Sequence, residues 1–499
     1  MELEFKKDAV QWLSPVVQQV RTQEQTQELK LSDGMPDIGR VLCAWGQGVL
    51  RGKEWRSDSF SISGGMTVWV LYAPEDGSQA RCISGWLPMQ MQWDLPEGTP
   101  DGQIRAMCLT RYVDARSVSP RKIMVRGGMS VLAEAMVQGQ GSTYTPAAMP
   151  EDIQLLQNTY PVRMWSEAGE KTVQLDEELI LPASCPAARK LICGTLHPEV
   201  TEHRVMNGRV VFRGNGNLRV LYTSEEGQLF SWEFPLSFSH FEDLTGQYGP
   251  DAQGDFCPAV TDLDLSLDDE GHFRLKCGMV VQYAISDVQM LRIVEDAYSP
   301  RRELELQQED LEVPAILDIG KQTVNAEQRI AQDADLVVQG TFLPDYPRER
   351  TMNDKVQLDL PGQYQALYRN PEGVMQSSAA RWEGKLSLDV HPDCSVLVVP
   401  GAVPQPQTEL AGDGMLLRTQ LPLTIRTETR QTIPMVTAIQ PGELRKPEAD
   451  RPSLILRRAG EDTLWQIARD SGSTVEAIRQ ASGLEGEPAP EQMLLVPVI

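Results

Sequence analysis

The stretch Thr261-Asp262-Leu263-Asp264-Leu265-Ser266-Leu267-Asp268-Asp269-Glu270-Gly271-His272-Phe273-Arg274-Leu275-Lys276-Cys277 decides the fold class. Leu263, Leu265 and Leu267 alternate with Asp264, Ser266 and Asp268, and after Gly271 the residues Phe273, Leu275 and Cys277 alternate with Arg274 and Lys276. A period of two places the apolar set on one face of a strand and the charges on the other. Asp269-Glu270-Gly271 supplies the turn, because glycine takes the positive φ of a tight hairpin without steric cost. A strand apolar on one face buries that face against a second layer. The expected fold is therefore mainly β, built of β-sandwich or barrel-like units. The same alternation reads Asp262, Asp264 and Asp268 as a solvated strand face rather than a calcium site, and the EF-hand order of ligands is absent.

The pattern recurs along the chain. Glu28-Leu29-Lys30-Leu31 matches Glu178-Leu179-Ile180-Leu181, Pro36 matches Pro186, and Cys43 matches Cys193. Leu71-Tyr72 matches Leu221-Tyr222, Gly77 matches Gly227, and Gly128-Met129 matches Gly278-Met279, always 150 positions apart. One offset held over a hundred residues marks a duplication. A more diverged third copy centres on Leu367-Tyr368-Arg369-Asn370-Pro371-Glu372-Gly373, with Gly340 upstream spaced as Gly194 is, and Trp382-Glu383 echoing Trp232-Glu233. The expected organisation is a first β domain with an N-terminal helix (1–150), a second (151–305), a diverged third (306–444), a linker (445–452) and a small terminal domain (453–499).

Length and charge agree with several domains. The chain has 499 residues, with 46 basic and 70 acidic side chains and a net charge of −24. Such an acidic balance opposes a nucleic-acid partner, which needs a basic field to replace phosphate counterions. No run of about 20 apolar residues is present, so no membrane span is expected. The start, Met1 to Asp8, does not read as a secretory signal. The eight cysteines contain no Cys-x-x-Cys pair and read as free thiols of a reducing compartment.

Local signals set further expectations. Phe5, Ala9, Trp12, Leu13, Val16, Val17 and Val20 have helical spacing, interrupted at Pro15. Gln138-Gly139-Gln140-Gly141-Ser142-Thr143 reads as a polar linker, as does Leu444 to Pro452, stiffened by two prolines. Gly46-Gln47-Gly48 with Gly52 misses the dinucleotide spacing by one residue and reads as a turn or bulge. His197 and His203 lie near Cys193, but zinc needs four converging ligands, so His197, before Pro198, reads as a structural or surface residue in a loop. The tryptophans of the first copy (45, 55, 69, 86, 93) read as core. Arg111, Arg116, Arg121, Lys122 and Arg126 form either a solvated sheet face or a docking surface for acidic groups, among them the chain's own later repeats. No nucleophile elbow or phosphate loop is present, five histidines are few for imidazole chemistry, and no enzyme activity, metal or cofactor is expected.

The last 47 residues form a separate pattern. Leu454-Ile455-Leu456 reads as a strand. A helix follows from Gly460-Glu461-Asp462-Thr463-Leu464, capped by Asp462, with Leu464, Ile467 and Ala468 on one face, and it ends at Gly472. Ser473-Thr474-Val475-Glu476 has the spacing of a capping box before a second helix, which carries Val475, Ile478 and Ala481 and ends at Gly483. Met493 to Pro497 closes the unit as a strand.

Through Gly460, Asp462-Thr463-Leu464, Ile467-Ala468, Ile478, Ala481, Gly483-Leu484, Gln492 and Leu494-x-Val496-Pro497 this βααβ segment resembles a LysM domain. That resemblance implies a shallow groove for N-acetylglucosamine-containing glycans, here Gly460, Glu461, Asp462, Thr463 and Leu464 on one side and Ser482, Gly483 and Leu484 on the other, with Glu491 nearby. Two positions depart from the pattern: Ser482 stands for the usual asparagine and Glu491 for the usual glycine. Upstream, Pro36-Asp37-Ile38-Gly39-Arg40-Val41-Leu42, the Leu-Tyr strand ends, the acidic-glycine hairpins and Trp232-Glu233-Phe234-Pro235-Leu236-Ser237-Phe238 resemble SPOCS domains, the second copy best. Repeats followed by LysM resemble the SipL-like layout of spore-coat morphogenesis proteins. The resemblance implies a non-enzymatic scaffold in the mother-cell cytoplasm at the forespore and coat surface, with LysM recruiting the basement-layer coat ATPase. The alternative is a cell-wall protein binding peptidoglycan glycans. In the recruiting reading Glu461, Asp462, Glu487 and Glu491 are expected to rim the groove, which suits a partner with basic groups, with Trp465 half-buried beside it.

Overall fold

The computed structural model describes residues 3–148, 150–206, 208–352, 355–391, 393–412, 414–445, 452–484 and 486–499. Among them it contains 22 strands and two short helices. The strands β1 (Phe5–Lys30), β2 (Ile38–Trp55), β3 (Ser59–Pro74), β4 (Arg81–Asp94), β5 (Gln103–Ser119) and β6 (Lys122–Pro146) form a first unit. In the second, β7 (Gln154–Leu179), β8 (Lys190–Met206), β9 (Arg209–Thr223), β10 (Leu229–Asp243), β11 (Gln253–Leu267) and β12 (Phe273–Tyr298) follow in the same order. The third has β13 (Arg302–Ile330), β14 (Leu336–Pro344), β15 (Arg348–Met352), β16 (Lys355–Arg369), β17 (Met375–Leu388), β18 (Ser395–Pro400), β19 (Gln407–Ala411) and β20 (Gly414–Leu444). Here β14 with β15 stands for one strand of the other units, and β18 with β19 for another, since each couple pairs along the same neighbour.

Within each unit one sheet holds the second, third and fourth strands, as in β2-β3-β4 and β8-β9-β10. The other holds the first, fifth and sixth, and those of the first two units join into one sheet, β11-β12-β7-β1-β6-β5, through Leu13 and Trp165. Each unit's core draws on both sheets: Phe60, Val68 and Tyr72 meet Ile123, Val125 and Val131 in the first, and Phe212 and Tyr222 meet Phe273 and Met279 in the second.

Register ties the copies together residue by residue. Tyr72 pairs with Val41, Tyr222 with Leu191 and Tyr368 with Val337, and in all three the register slips by one residue immediately afterwards. Met129 pairs with Gln23 and Thr110, and Met279 with Val173 and Val260. The hairpin glycines Gly77, Gly227 and Gly373 have φ of 74°, 79° and 78°, the left-handed conformation for which the sequence selects glycine.

Four local expectations need correction. The helical spacing from Phe5 to Val20 lies in strand β1, paired along its length with β6. Pro15 sits beside a register shift, where a strand tolerates the missing N–H. Gln138 to Thr143 is no linker but part of β6, and its glycines seat an aromatic ring. Trp12 pairs with Gly139, and a Cβ at Gly139 would collide with the Trp12 indole. Gly46-Gln47-Gly48 lies within β2 rather than in a turn, and the bulge, the other expectation, is present at the register shift between Leu50 and Gly52; a Cβ at Gly46 would strike Met66. His197 lies in β8, not in a loop. Of the proposed linker, residues 446–451 lie outside the described residues.

Candidate functional site

The terminal unit runs β21 (Leu454–Arg458), α1 (Leu464–Ser471), α2 (Val475–Ser482) and β22 (Met493–Pro497), with β21 and β22 antiparallel. Leu464, Ile467, Ala468, Ile478, Leu494 and Val496 are fully buried in its core. Thr463, not Asp462, caps α1 through a reciprocal box with Gln466: the Gln466 N–H donates to Thr463 Oγ1 (3.3 Å) and the Thr463 N–H to Gln466 Oε1 (2.9 Å). Thr474, not Ser473, caps α2. The Ser473 N–H closes the end of α1 on the Ala468 carbonyl (2.8 Å), so Ser473 faces inward and is buried. Gly472 and Gly483 end the helices at φ of 62° and 63°.

Each groove residue has a definite place. Gly460, Glu461, Asp462, Thr463, Gly483 and Glu491 are exposed, Ser482 and Leu484 are half-buried, and Leu464 is buried. The Leu464 N–H donates to Glu487 Oε2 (3.1 Å), tying the start of α1 to the segment after α2. A carboxylate suits the free N–H groups of a helix start. Ser482 is held on β22, its Oγ accepting the Leu495 N–H (2.9 Å) and donating to the Leu495 carbonyl (3.1 Å). Glu491 has φ 67°, a conformation that favours glycine, and pairs with Arg458 at 2.6 Å. Asp462 pairs with Arg457 at 2.6 Å. Three of the four expected rim acids are therefore engaged within the unit, while Glu461 stands outside these pairs.

Trp465 is half-buried, but its contacts lie within the chain. Its Nε1–H donates to Asp296 (2.8 Å), Arg469 reaches the same carboxylate oxygen (2.8 Å), and Tyr298 meets the indole edge-on with centroids 4.7 Å apart. Tyr298, at the end of β12, is buried in the terminal unit's own core cluster. The sequence reading missed Asp296 and Tyr298 as partners. Only their distance in sequence from Trp465 hid them, since an acid two residues before a tyrosine carries no signal of its own.

Four of the five residues of the basic run are paired within the chain, and Arg116 is exposed. Arg111 pairs with Asp345 of the third unit at 2.7 Å, Arg126 with Glu24, Lys122 with Glu28 at 3.0 Å, and Arg121 with Asp37 at 3.0 Å. Asp268 accepts the N–H groups of Glu270 (3.0 Å) and His272 (2.8 Å) and pairs with Arg274 (3.1 Å), so its carboxylate organises the hairpin. The tryptophans at 45, 55, 69, 86 and 93 are buried or half-buried.

Among the places where the three units meet, two contrast in chemistry. At the first, each register slip places its extra residue, Leu42, Ile192 or Val338, in one shared apolar cluster with Leu71, Leu221 and Leu367. A bulge re-aims a side chain in this way. At the second, Arg105 and Glu134 of the first unit, Asp255 of the second and Arg426 of the third form a buried ion network. Arg105 lies 3.0 Å from Glu134 and 2.8 Å from Asp255, while Arg426 contacts Glu134 and lies 3.3 Å from Asp255 and 2.9 Å from Glu428. Burial acts to raise the Glu134 pKa, but the Arg426 and Arg105 charges outweigh it and hold it at about 2. The Trp165 Nε1–H donates to Glu428 (2.8 Å).

No helix among the described residues is long and apolar enough to cross a membrane. No curated protein matches the chain, and no solved structure does. Residues 189–268, from the start of β8 to the turn after β11, match the family model described as SipL, SPOCS domain.

Proposed function

We propose that this chain is a sporulation protein: a non-enzymatic scaffold of endospore coat assembly, held in the mother-cell cytoplasm at the forespore surface. The observation that carries the reading is the SPOCS-domain match over the second unit. The three units with one strand order support a repeat-built platform, and the strand-helix-helix-strand end supports a LysM domain. In this reading the terminal unit recruits the basement-layer coat ATPase through the surface around Gly460 to Leu464 and Glu487. Glu461 is the residue to reverse, because reversing Asp462 or Glu491 would also break an internal pair.

Affinity capture from sporulating cells, with the full chain and with Glu461→Lys as bait, tests this. The expected result is enrichment of a basement-layer coat protein by the full chain, weakened by the reversal more at low salt than at high salt. Tight binding of N-acetylglucosamine oligomers with no coat protein recovered would replace the proposal by the cell-wall reading.

A further inference from the structure

The three units enclose a cavity of about 580 Å³, within the range of about 300–1,000 Å³ typical of small-molecule sites. Its walls come from β2 and β5, β8 and β11, and β14 with the region of β18, so no single unit contains it. Leu50, Met107, Leu196, Phe256, Phe342 and Val403 make much of the lining apolar. Two of the charged groups in the wall, Arg219 and Asp255, are already matched, while Glu199 and Lys321 face each other at 3.9 Å. Arg219 pairs with Glu233 at 2.7 Å and donates to the Val403 carbonyl, while Asp255 pairs with Arg105 and Arg426.

The rim differs. Lys321 has a side chain 66 % exposed, and its ammonium is 3.9 Å from Glu199, too far for a hydrogen bond. His203, also on the rim, accepts the Gly254 N–H at Nε2 (3.1 Å). Burial, and then the Lys321 charge, lower the His203 pKa from its ordinary value, which keeps the ring neutral at pH 7. With Nε2 accepting, the neutral ring carries its proton on Nδ1 and is a donor there. The same cavity is thus lined by the Lys321 ammonium, with the Glu199 carboxylate 3.9 Å from it, and by the His203 imidazole.

We propose that this cavity binds an amphiphilic monocarboxylate, a fatty acid with its chain among the apolar walls and its carboxylate on Lys321 and His203.

Titration calorimetry of the full chain tests this with dodecanoate and with dodecyltrimethylammonium, which has the same tail and the opposite head, both below their micelle concentrations. The expected result is saturable binding of dodecanoate at one site, at least about tenfold weaker for the cationic amphiphile and about tenfold weaker in Lys321→Met. Ile319→Trp, which fills the chamber from β13, should abolish binding while the circular dichroism spectrum is retained. Thr110→Trp, from the opposite wall, is the second blocking variant should Ile319→Trp fail to fold. Equal binding of the two head groups, unchanged affinity in Lys321→Met, or full binding in a folded blocking variant would overturn the proposal.

Discussion

Two of the places where the three units meet solve one packing problem in opposite ways. At the apolar junction, equivalent positions keep one kind of residue: Leu71, Leu221 and Leu367 after the three register slips, and Leu42, Ile192 and Val338 within them. At the charged junction, equivalent positions have diverged. Counting from the register slips of β6, β12 and β20, Glu134, Ala284 and Arg426 correspond, and so do Arg105 and Asp255. The reason is physical. Dispersion and burial are non-directional, so a leucine can meet its own copies. A buried charge cannot meet its own copy, because like charges in a low-dielectric interior repel. A duplicated chain that buries charge at such a centre must differentiate its copies, and the differentiated charges then determine which copy stands where.

Removing one partner of the buried network should give the largest effect. Arg426→Met leaves Glu428 without its counter-charge and Glu134 and Asp255 with Arg105 alone, and should lower stability by about 3–5 kcal/mol, read as a lower urea midpoint. Leu221→Ala at the apolar junction should cost about 2–5 kcal/mol. Conservative exchanges sharpen the contrast. Leu221→Met keeps the volume and should cost less than about 1.5 kcal/mol. Arg426→Lys keeps the charge but loses the planar fork that serves three carboxylates, so it should stay well above that. Equal tolerance of the two exchanges would break the comparison.

Acid should act on the charged junction. Glu134 has its pKa lowered from 4.5 to about 2 in the folded chain. Its contribution is therefore complete above pH 4.5 and is lost as pH falls through about 2. Glu134→Gln should be less stable at pH 7 and should lose the extra pH dependence of stability between those values. An unchanged acid profile would mean that the network does not stabilise the fold.

The smallest effect is expected where the terminal unit meets β12. Asp296→Asn removes the charge shared by Trp465 and Arg469 at a partly exposed site, and should cost about 1 kcal/mol. Faster hydrogen exchange in α1, with the unit cores unchanged, is the readout. If exchange in α1 is unaltered, Tyr298 alone holds the contact.

Much of the fold was legible where a rule is local. Alternation in Leu263, Leu265 and Leu267 located a strand, the 150-residue offset paired Tyr72 with Tyr222, and the glycines at 77, 227 and 373 marked turns because only they take that φ cheaply. Glu491 was noticed as a departure from a glycine position, and its φ of 67° shows what the position demands. Reading failed where the cause lay on another strand. Trp12 follows helical spacing, yet Gly139 and Gly141, more than a hundred residues away, make room for its ring and draw β1 into the sheet. Caps moved by one residue at Thr463 and Thr474, because serine, threonine and aspartate compete closely for that role.

The sequence by itself determined the mainly β class, the glycine turns and the apolar face of the first terminal helix, because these follow from period and φ preference within a short span of chain. On the second helix Ile478 is buried but Ala481, expected beside it, is exposed. Only the tertiary structure decided that Arg111 meets Asp345, that Trp465 meets Asp296 and Tyr298, and that Arg105, Glu134, Asp255 and Arg426 share one buried centre. Those contacts join residues tens to hundreds of positions apart, and an arginine or aspartate in an alternating strand reads as solvated until another unit covers it. The cavity likewise exists only once three units stand together, since its walls are drawn from all of them.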